Sequence, residues 1–170
     1  MAYNSMIKST ENYKNAWSQV ENQYQRRFDL VPNIENSVKI ATKQEMDVFK
    51  MIAGARSQYS GVATNPDATQ ADKINAMQKV DSSFSRLLAI VESYPQLKSV
   101  DAVQSLMIQL EGTENRIATE RQKYNDAIKS YNLIVKRIPG VIFAKIFGFE
   151  EQVYFESATG SNVAPKINND

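Results

Sequence analysis

Two glutamates, Glu111 and Glu114, come closest in type and spacing to a catalytic or ligand-binding pair. They are three residues apart, so they share one face of the helix predicted there. Paired carboxylates are the minimum for glycoside hydrolysis, but the two acids must flank the sugar. Neighbours on one helix cannot do this, and a hydrolase would need a second acid on another helix. Glu92, which precedes a Tyr-Pro pair, is the candidate for that acid.

Arg27 lies at the end of the first predicted helix, where a cation suits the negative end of the helix dipole. Its guanidinium fork also fits carboxylates and phosphates. Arg27 could therefore anchor a ligand or pair with a glutamate of the fourth helix, and we expect the internal pairing. The alternative function is a small-molecule sensor, in which Arg27 and the Glu111–Glu114 face enclose a polar cavity between helices.

The chain contains no histidine and no cysteine. Without them there is no Ser-His or Cys-His triad, no thiolate, no helical zinc motif and no Glu-x-x-His di-iron signature. A metal site made of carboxylates alone would be poorly selective. We therefore predict a protein with no catalytic residues, no metal site and no cofactor.

The charge and the length of the chain further restrict its possible partners and its fold. Twenty basic residues against nineteen acidic ones leave a net charge of +1, so the sequence indicates no nucleic-acid partner. A chain of 170 residues, 42% of them hydrophobic, is suited to one domain with its own core. No apolar run reaches the length of roughly eighteen residues that is typical of a transmembrane helix.

Apolar residues recur at three- and four-residue steps in four stretches, which predicts four helices. They cover about 5–29, 31–59, 74–91 and 103–135. Pro32 separates the first two as a chain reversal or a kink, and we prefer the reversal. Residues 61–69 are predicted to form a loop in which Asp67 or Thr69 caps the third helix.

The C-terminal part is densely apolar over 141–149. A short helix that closes one end of the bundle is favoured over a membrane- or partner-binding segment, and Phe147 and Phe149 are the candidate partner contacts. The predicted fold is an all-α, antiparallel four-helix bundle with a short C-terminal capping helix, over residues 1–156. Residues 157–170 are expected to form a flexible tail.

A Tyr-Asn pair occurs twice, at Tyr124-Asn125 and Tyr131-Asn132, seven residues apart. The tyrosines should share one face of the fourth helix and the asparagines a neighbouring one. We expect the asparagine amides to bond across to Asn33 or Asn115 and so to fix the register of the bundle.

Several stretches together resemble the LemA family of bacterial proteins, and they cover almost the whole chain. They are Asn15-Ala16-Trp17, Tyr24-Gln25-Arg26-Arg27-Phe28-Asp29-Leu30-Val31-Pro32-Asn33, Ala55-Arg56, Tyr94-Pro95-Gln96-Leu97-Lys98, Gly112-Thr113-Glu114-Asn115-Arg116-Ile117, the two Tyr-Asn pairs, Phe147-Gly148-Phe149 and Tyr154-Phe155. The most specific are the stretches 24–33, 94–98 and 112–117, taken in that order.

This resemblance implies a bundle of four long helices, attached through an N-terminal membrane segment or lipid anchor, with no established enzymatic activity. Tyr3-Asn4 resembles the pair that follows the anchoring cysteine in lipoprotein-like members, so we expect the anchor to be absent from this sequence. Gln44-Glu45 replaces a His-Glu pair of many members, which argues against a metal or acid-base role there. We therefore expect a membrane-anchored module of the bacterial envelope, on its periplasmic or extracytoplasmic face, that binds or scaffolds an envelope or membrane protein.

Overall fold

The computed structural model describes residues 2–30, 43–93 and 101–155. Five helices form this part of the chain: α1 (Ala2–Asp29), α2 (Lys43–Thr64), α3 (Gln70–Ser93), α4 (Asp101–Lys136) and α5 (Gly140–Phe147). The predicted all-α class is confirmed, and the short C-terminal helix is present. None of the described helices combines the length and apolarity needed to cross a membrane.

The helices form because their apolar residues recur on one face, which each helix buries against a partner. On α1 the buried stripe is Met6, Trp17, Val20, Tyr24 and Phe28. The rings of Trp17 and Tyr124 meet at 5.4 Å near the middle of α1 and α4. Arg27, at the end of α1, reaches Glu114, which lies earlier on α4. The two helices therefore run antiparallel.

The helices α2 and α3 form a second antiparallel pair, joined by a short loop. Thr69 caps α3: its hydroxyl accepts the Asp72 backbone N–H at 3.2 Å, and the Asp72 carboxylate accepts the Thr69 backbone N–H at 2.9 Å. This reciprocal arrangement satisfies two donors at the helix start. Of the two predicted caps, Thr69 is the one observed. The predicted loop over 61–69 is wrong in its first part, since α2 continues to Thr64.

α5 closes the end of the α1–α4 pair, as predicted. Gly140 and Ala144 are buried against the rest of the protein. Gly140 has to lack a side chain, because a Cβ atom there would lie 2.0 Å from the Ile134 carbonyl oxygen. Gly148 ends the helix with φ 72°, in the left-handed region that glycine adopts without strain.

After α5 the chain returns along α4 as an extended segment held by two asparagines. Asn132 donates to the Gln152 carbonyl and accepts the Gln152 backbone N–H, each at 2.9 Å. Asn125 makes the same pair of bonds with Phe155, at 3.1 and 2.9 Å. Asn125 and Asn132 are seven residues apart on α4, and their partners Gln152 and Phe155 are three residues apart in the extended segment. Both separations span about 10 Å, so the two asparagines match their two partners. We call residues 149–155 the strap.

This contact corrects the prediction for the Tyr-Asn pairs. Both asparagine amides bond to the backbone of the strap and not to Asn115, because the strap presents unpaired backbone groups that must be satisfied. The other proposed partner, Asn33, lies outside the described residues. The predicted reversal at Pro32 and the predicted flexible tail over 157–170 also lie outside them, as do the side chains of Gln44 and Glu45. The arrangement of the four long helices as an antiparallel bundle stays a prediction.

Candidate functional site

A cluster of four charged side chains and one tyrosine joins α1, α3 and α4. We call it the ion cluster, and it consists of Tyr24, Arg27, Asp81, Glu114 and Arg121. Arg27, one of two arginines in the last turn of α1, is only 1% exposed. Its Nη1 lies 3.2 Å from an Asp81 oxygen and its Nη2 lies 2.7 Å from a Glu114 oxygen. Its guanidinium carbon also stacks 4.3 Å from the centre of the Phe84 ring. Arg27 therefore fixes α1 against both α3 and α4.

Asp81 is the centre of the ion cluster. The Tyr24 hydroxyl donates to it, with both carboxylate oxygens at 3.0 Å, and Arg121 of α4 contacts both Asp81 and the Tyr24 hydroxyl. Burial raises the pKa of the Asp81 carboxyl, while Arg121 and Arg27 act in the opposite direction. Burial, assisted by the Asp81 carboxylate, holds the pKa of the Tyr24 phenol well above its usual value.

Two cations and two anions of the ion cluster neutralise one another. Its acids and bases contact each other, with the Glu114 side chain 54% exposed. The Nε atoms of Arg27 and Arg121 are buried without a hydrogen-bond partner in the described part of the chain. The arrangement is that of an ion-pair network that links α1, α3 and α4.

The structure brings two of the predicted site residues together and separates the others. Arg27 pairs with Glu114, so the expected internal pairing with a glutamate of the fourth helix is confirmed. Glu111 is exposed and lies outside the ion cluster, and Glu92 is exposed near the end of α3. Of the three glutamates, only Glu114 belongs to the ion cluster.

Sequence reasoning missed Asp81, Tyr24 and Arg121 as cluster members. Tyr24 occupies an ordinary position in an apolar stripe, and Asp81 and Arg121 are single charges among many on their helices. Asp81 and Arg121 are 40 residues apart in the sequence, and they follow Tyr24 by 57 and 97 residues. Helix periodicity specifies neighbours three or four residues apart and gives no signal for such pairs.

In the described part of the chain, the clefts lie away from Arg27 and Glu114, where the small-molecule alternative requires a polar cavity. Two clefts, of about 300 and 350 Å³, lie between α2 and α3. The first is lined by residues that include Met51, Lys79 and Arg86, and the second by residues that include Asp67 and Asp72. Neither cleft is lined by a member of the ion cluster. Among the described residues, no three acidic side chains are grouped to hold a metal ion.

The second feature is an apolar surface at the α5 end of the protein, which we call the end patch: Tyr3, Ile7, Ile138, Ile142, Ile146 and Phe147. Ile138 is 83% exposed, Ile146 67% and Phe147 54%. The Tyr3 ring, near the start of α1, lies 4.8 Å from the Phe147 ring. Phe149, the other predicted contact residue, is half-buried, with its ring 6.2 Å from Tyr3. The capping helix thus closes the core and also leaves its outer face apolar.

A family model described as the LemA family matches residues 16–168. The chain belongs to the LemA family. This confirms the resemblance carried by the motifs along the sequence.

Several curated proteins are similar to this LemA-family chain. Magnetosome proteins MamQ 1 and MamQ 2 of Paramagnetospirillum magneticum (strain AMB-1) are each 27% identical to it over 179 aligned residues. The alignments cover 92% of this chain and 65% of each relative, so the chain spans slightly less than two thirds of their length. Magnetosome protein MamQ of Magnetospirillum gryphiswaldense is 35% identical over 89 residues, covering 51% of this chain and 33% of that protein.

Proposed function

We propose that this LemA-family chain is a membrane-anchored protein of the bacterial envelope that acts as a non-catalytic binding or scaffolding module. The observation that carries the proposal is the end patch. Large apolar side chains stay exposed together at the end of the protein where α5 closes the α1–α4 pair. An exposed apolar surface of this kind is typical of a contact surface.

The ion cluster supports the non-catalytic part of the proposal. Its charges neutralise each other within the protein, whereas a catalytic group has to be available to a substrate. The rigid scaffold that results suits a module that presents a surface. A description as magnetosome proteins, which the MamQ relatives carry, fits a component of a cellular structure.

The position of the end patch supports the membrane attachment that the family resemblance implies. Tyr3 belongs both to the first turns of α1 and to the end patch. An anchor N-terminal to α1 would therefore hold the end patch close to the membrane. A contact made there could involve the bilayer itself or an envelope protein embedded in it.

In-cell crosslinking of the full-length, membrane-attached protein, followed by mass spectrometry, tests this proposal. The test variant carries Phe147→Ser with Ile146→Ser, and the control carries Ile108→Ser, since Ile108 is 69% exposed on the distant half of α4. We expect specific crosslinks, to protein or lipid, that the patch variant loses and the control keeps. Crosslinks that are the same in all three proteins, or none in any, would overturn the proposal.

A further inference from the structure

The outer face of α5 carries a row of isoleucines. Ile142 and Ile146 are four residues apart on the face opposite the buried Gly140 and Ala144, and Ile138 continues the row before the helix begins. All three are more than half exposed. The short helix is packed onto the end of the α1–α4 pair, so these side chains project outwards as a ridge. The protein thus presents three exposed aliphatic side chains together at this end.

Charge around this ridge has one sign. Residues 137–149 contain two cations, Arg137 and Lys145, and no acid. Both cations are exposed, and Lys145 lies on the same short helix as the isoleucines. The first acids beyond the helix are Glu150 and Glu151, and Glu151 is paired with Lys136. The segment that carries the ridge is therefore positively charged, on a chain that is close to neutral overall.

We propose that the end patch inserts into the interfacial region of a bilayer that contains anionic phospholipid. This inference rests on the proposed function and names the chemistry of its contact. The isoleucine row and Phe147 would enter the boundary between headgroups and acyl chains. Arg137 and Lys145 would pair with headgroup phosphates, as the cations of interfacial helices do.

Three features favour a lipid surface over a protein partner. Aliphatic side chains that project from a ridge bury themselves in a fluid medium without needing a matching pocket, whereas protein interfaces concentrate their affinity in anchors fitted into pockets. The Tyr3 ring lies at the edge of the patch, and tyrosine is typical of membrane interfaces because one end of it is apolar and the other polar. Finally, the positive charge complements an anionic membrane.

Vesicle partitioning of the whole 170-residue chain tests the proposal. Sedimentation with extruded vesicles of phosphatidylcholine, with and without phosphatidylglycerol, measures the partition coefficient. Ile142→Ser with Ile146→Ser should lower it, by about tenfold per isoleucine. Lys145→Glu should weaken binding only to the vesicles that contain phosphatidylglycerol. Ile108→Ser, at a matched exposure, should leave it unchanged.

A site-specific probe shows which surface inserts and does not depend on serine variants. The chain has no cysteine, so Ile142→Cys and Ile108→Cys each give one labelling position for an environment-sensitive fluorophore. Ile108 lies 28 helical residues, about 42 Å, before the end of α4, and α5 with Ile142 follows that end. We expect anionic vesicles to shift the emission of the probe to the blue at position 142 and not at 108.

The outcomes separate this inference from the proposed function. No shift at position 142, or equal shifts at both positions, overturns lipid insertion. If crosslinking in cells then captures a protein through the same residues, the binding module stands and its partner is protein. If crosslinking also finds nothing specific to the patch, both proposals fail.

Discussion

Replacing Asp81 by alanine should destabilise the protein more than any other loss of a single carboxylate in the ion cluster. Asp81 accepts hydrogen bonds from Arg27, Arg121 and the Tyr24 hydroxyl. Without it, Arg121 and the phenol lose their acid, and the almost fully buried Arg27 keeps only Glu114. Breaking a buried pair by removing one partner costs about 3–5 kcal/mol, because the remaining charge is uncompensated. The side chain of Asp81 is 22% exposed, so solvent partly screens its charge. The expected loss of unfolding free energy is therefore at the lower end of this range, about 3 kcal/mol.

Urea unfolding followed by far-UV circular dichroism measures this loss, and it should consume a large share of the stability of a typical domain. The matched control is Asp126→Ala, since Asp126 is an exposed acid of α4 and should cost less than about 0.5 kcal/mol. A double-mutant cycle with Arg121→Met should show that the two losses are not additive, because the residues share one contact. A loss equal to that of the control, or full additivity in the cycle, would refute the structural role of the ion cluster.

Three further substitutions or conditions test the packing. Gly140→Ala should cost about 3 kcal/mol in urea unfolding because its Cβ would overlap the Ile134 carbonyl oxygen, whereas Gly54→Ala should be neutral or stabilise α2 by up to about 1 kcal/mol; an equal effect at both positions would be unexpected. Asn132→Ala should cost about 2 kcal/mol and expose the strap to limited proteolysis, since it removes both bonds to the strap backbone; unchanged cleavage would contradict this. Burial raises the pKa of Tyr131 from 10.0 to about 12, so its contribution to stability is complete below pH 10 and is lost as the pH rises towards 12, by about 3 kcal/mol; unfolding free energies that stay flat across that interval would count against its burial.

The helices could be predicted from the sequence because their signal is local. Apolar spacing predicted the bounds of the described helices to within about five residues, except for the start of the second, since residues 31–42 lie outside the described part of the chain. Thr69 could be named as one of two possible caps. The pairing of Arg27 with a glutamate of the fourth helix was also predictable, since a buried arginine fork requires a carboxylate. The predicted loop extended too far because Gly61 was taken as a loop residue, although a helix tolerates an exposed glycine at a cost of about 1 kcal/mol.

The remaining features depend on tertiary packing. Asp81 became the partner of two arginines only because α3 lies across both α1 and α4. The two asparagines of α4 hold the strap because seven helical residues match three extended ones in length, and this requires knowing that residues 149–155 are extended. The exposure of Ile142 and Ile146 likewise follows from the face of α5 that packs inward, which Gly140 and Ala144 decide.

If the ion cluster maintains the fold and the end patch makes the contact, substitutions in the two should have different effects. Melting temperature and in-cell crosslinking should be measured side by side for Asp81→Ala and for the Ile142→Ser, Ile146→Ser variant. We expect Asp81→Ala to lower the melting temperature and to retain crosslinking below it. We expect the isoleucine variant to keep the melting temperature and to lose crosslinking. A patch variant that unfolds, or one that crosslinks as the unmodified protein does, would refute this division of roles.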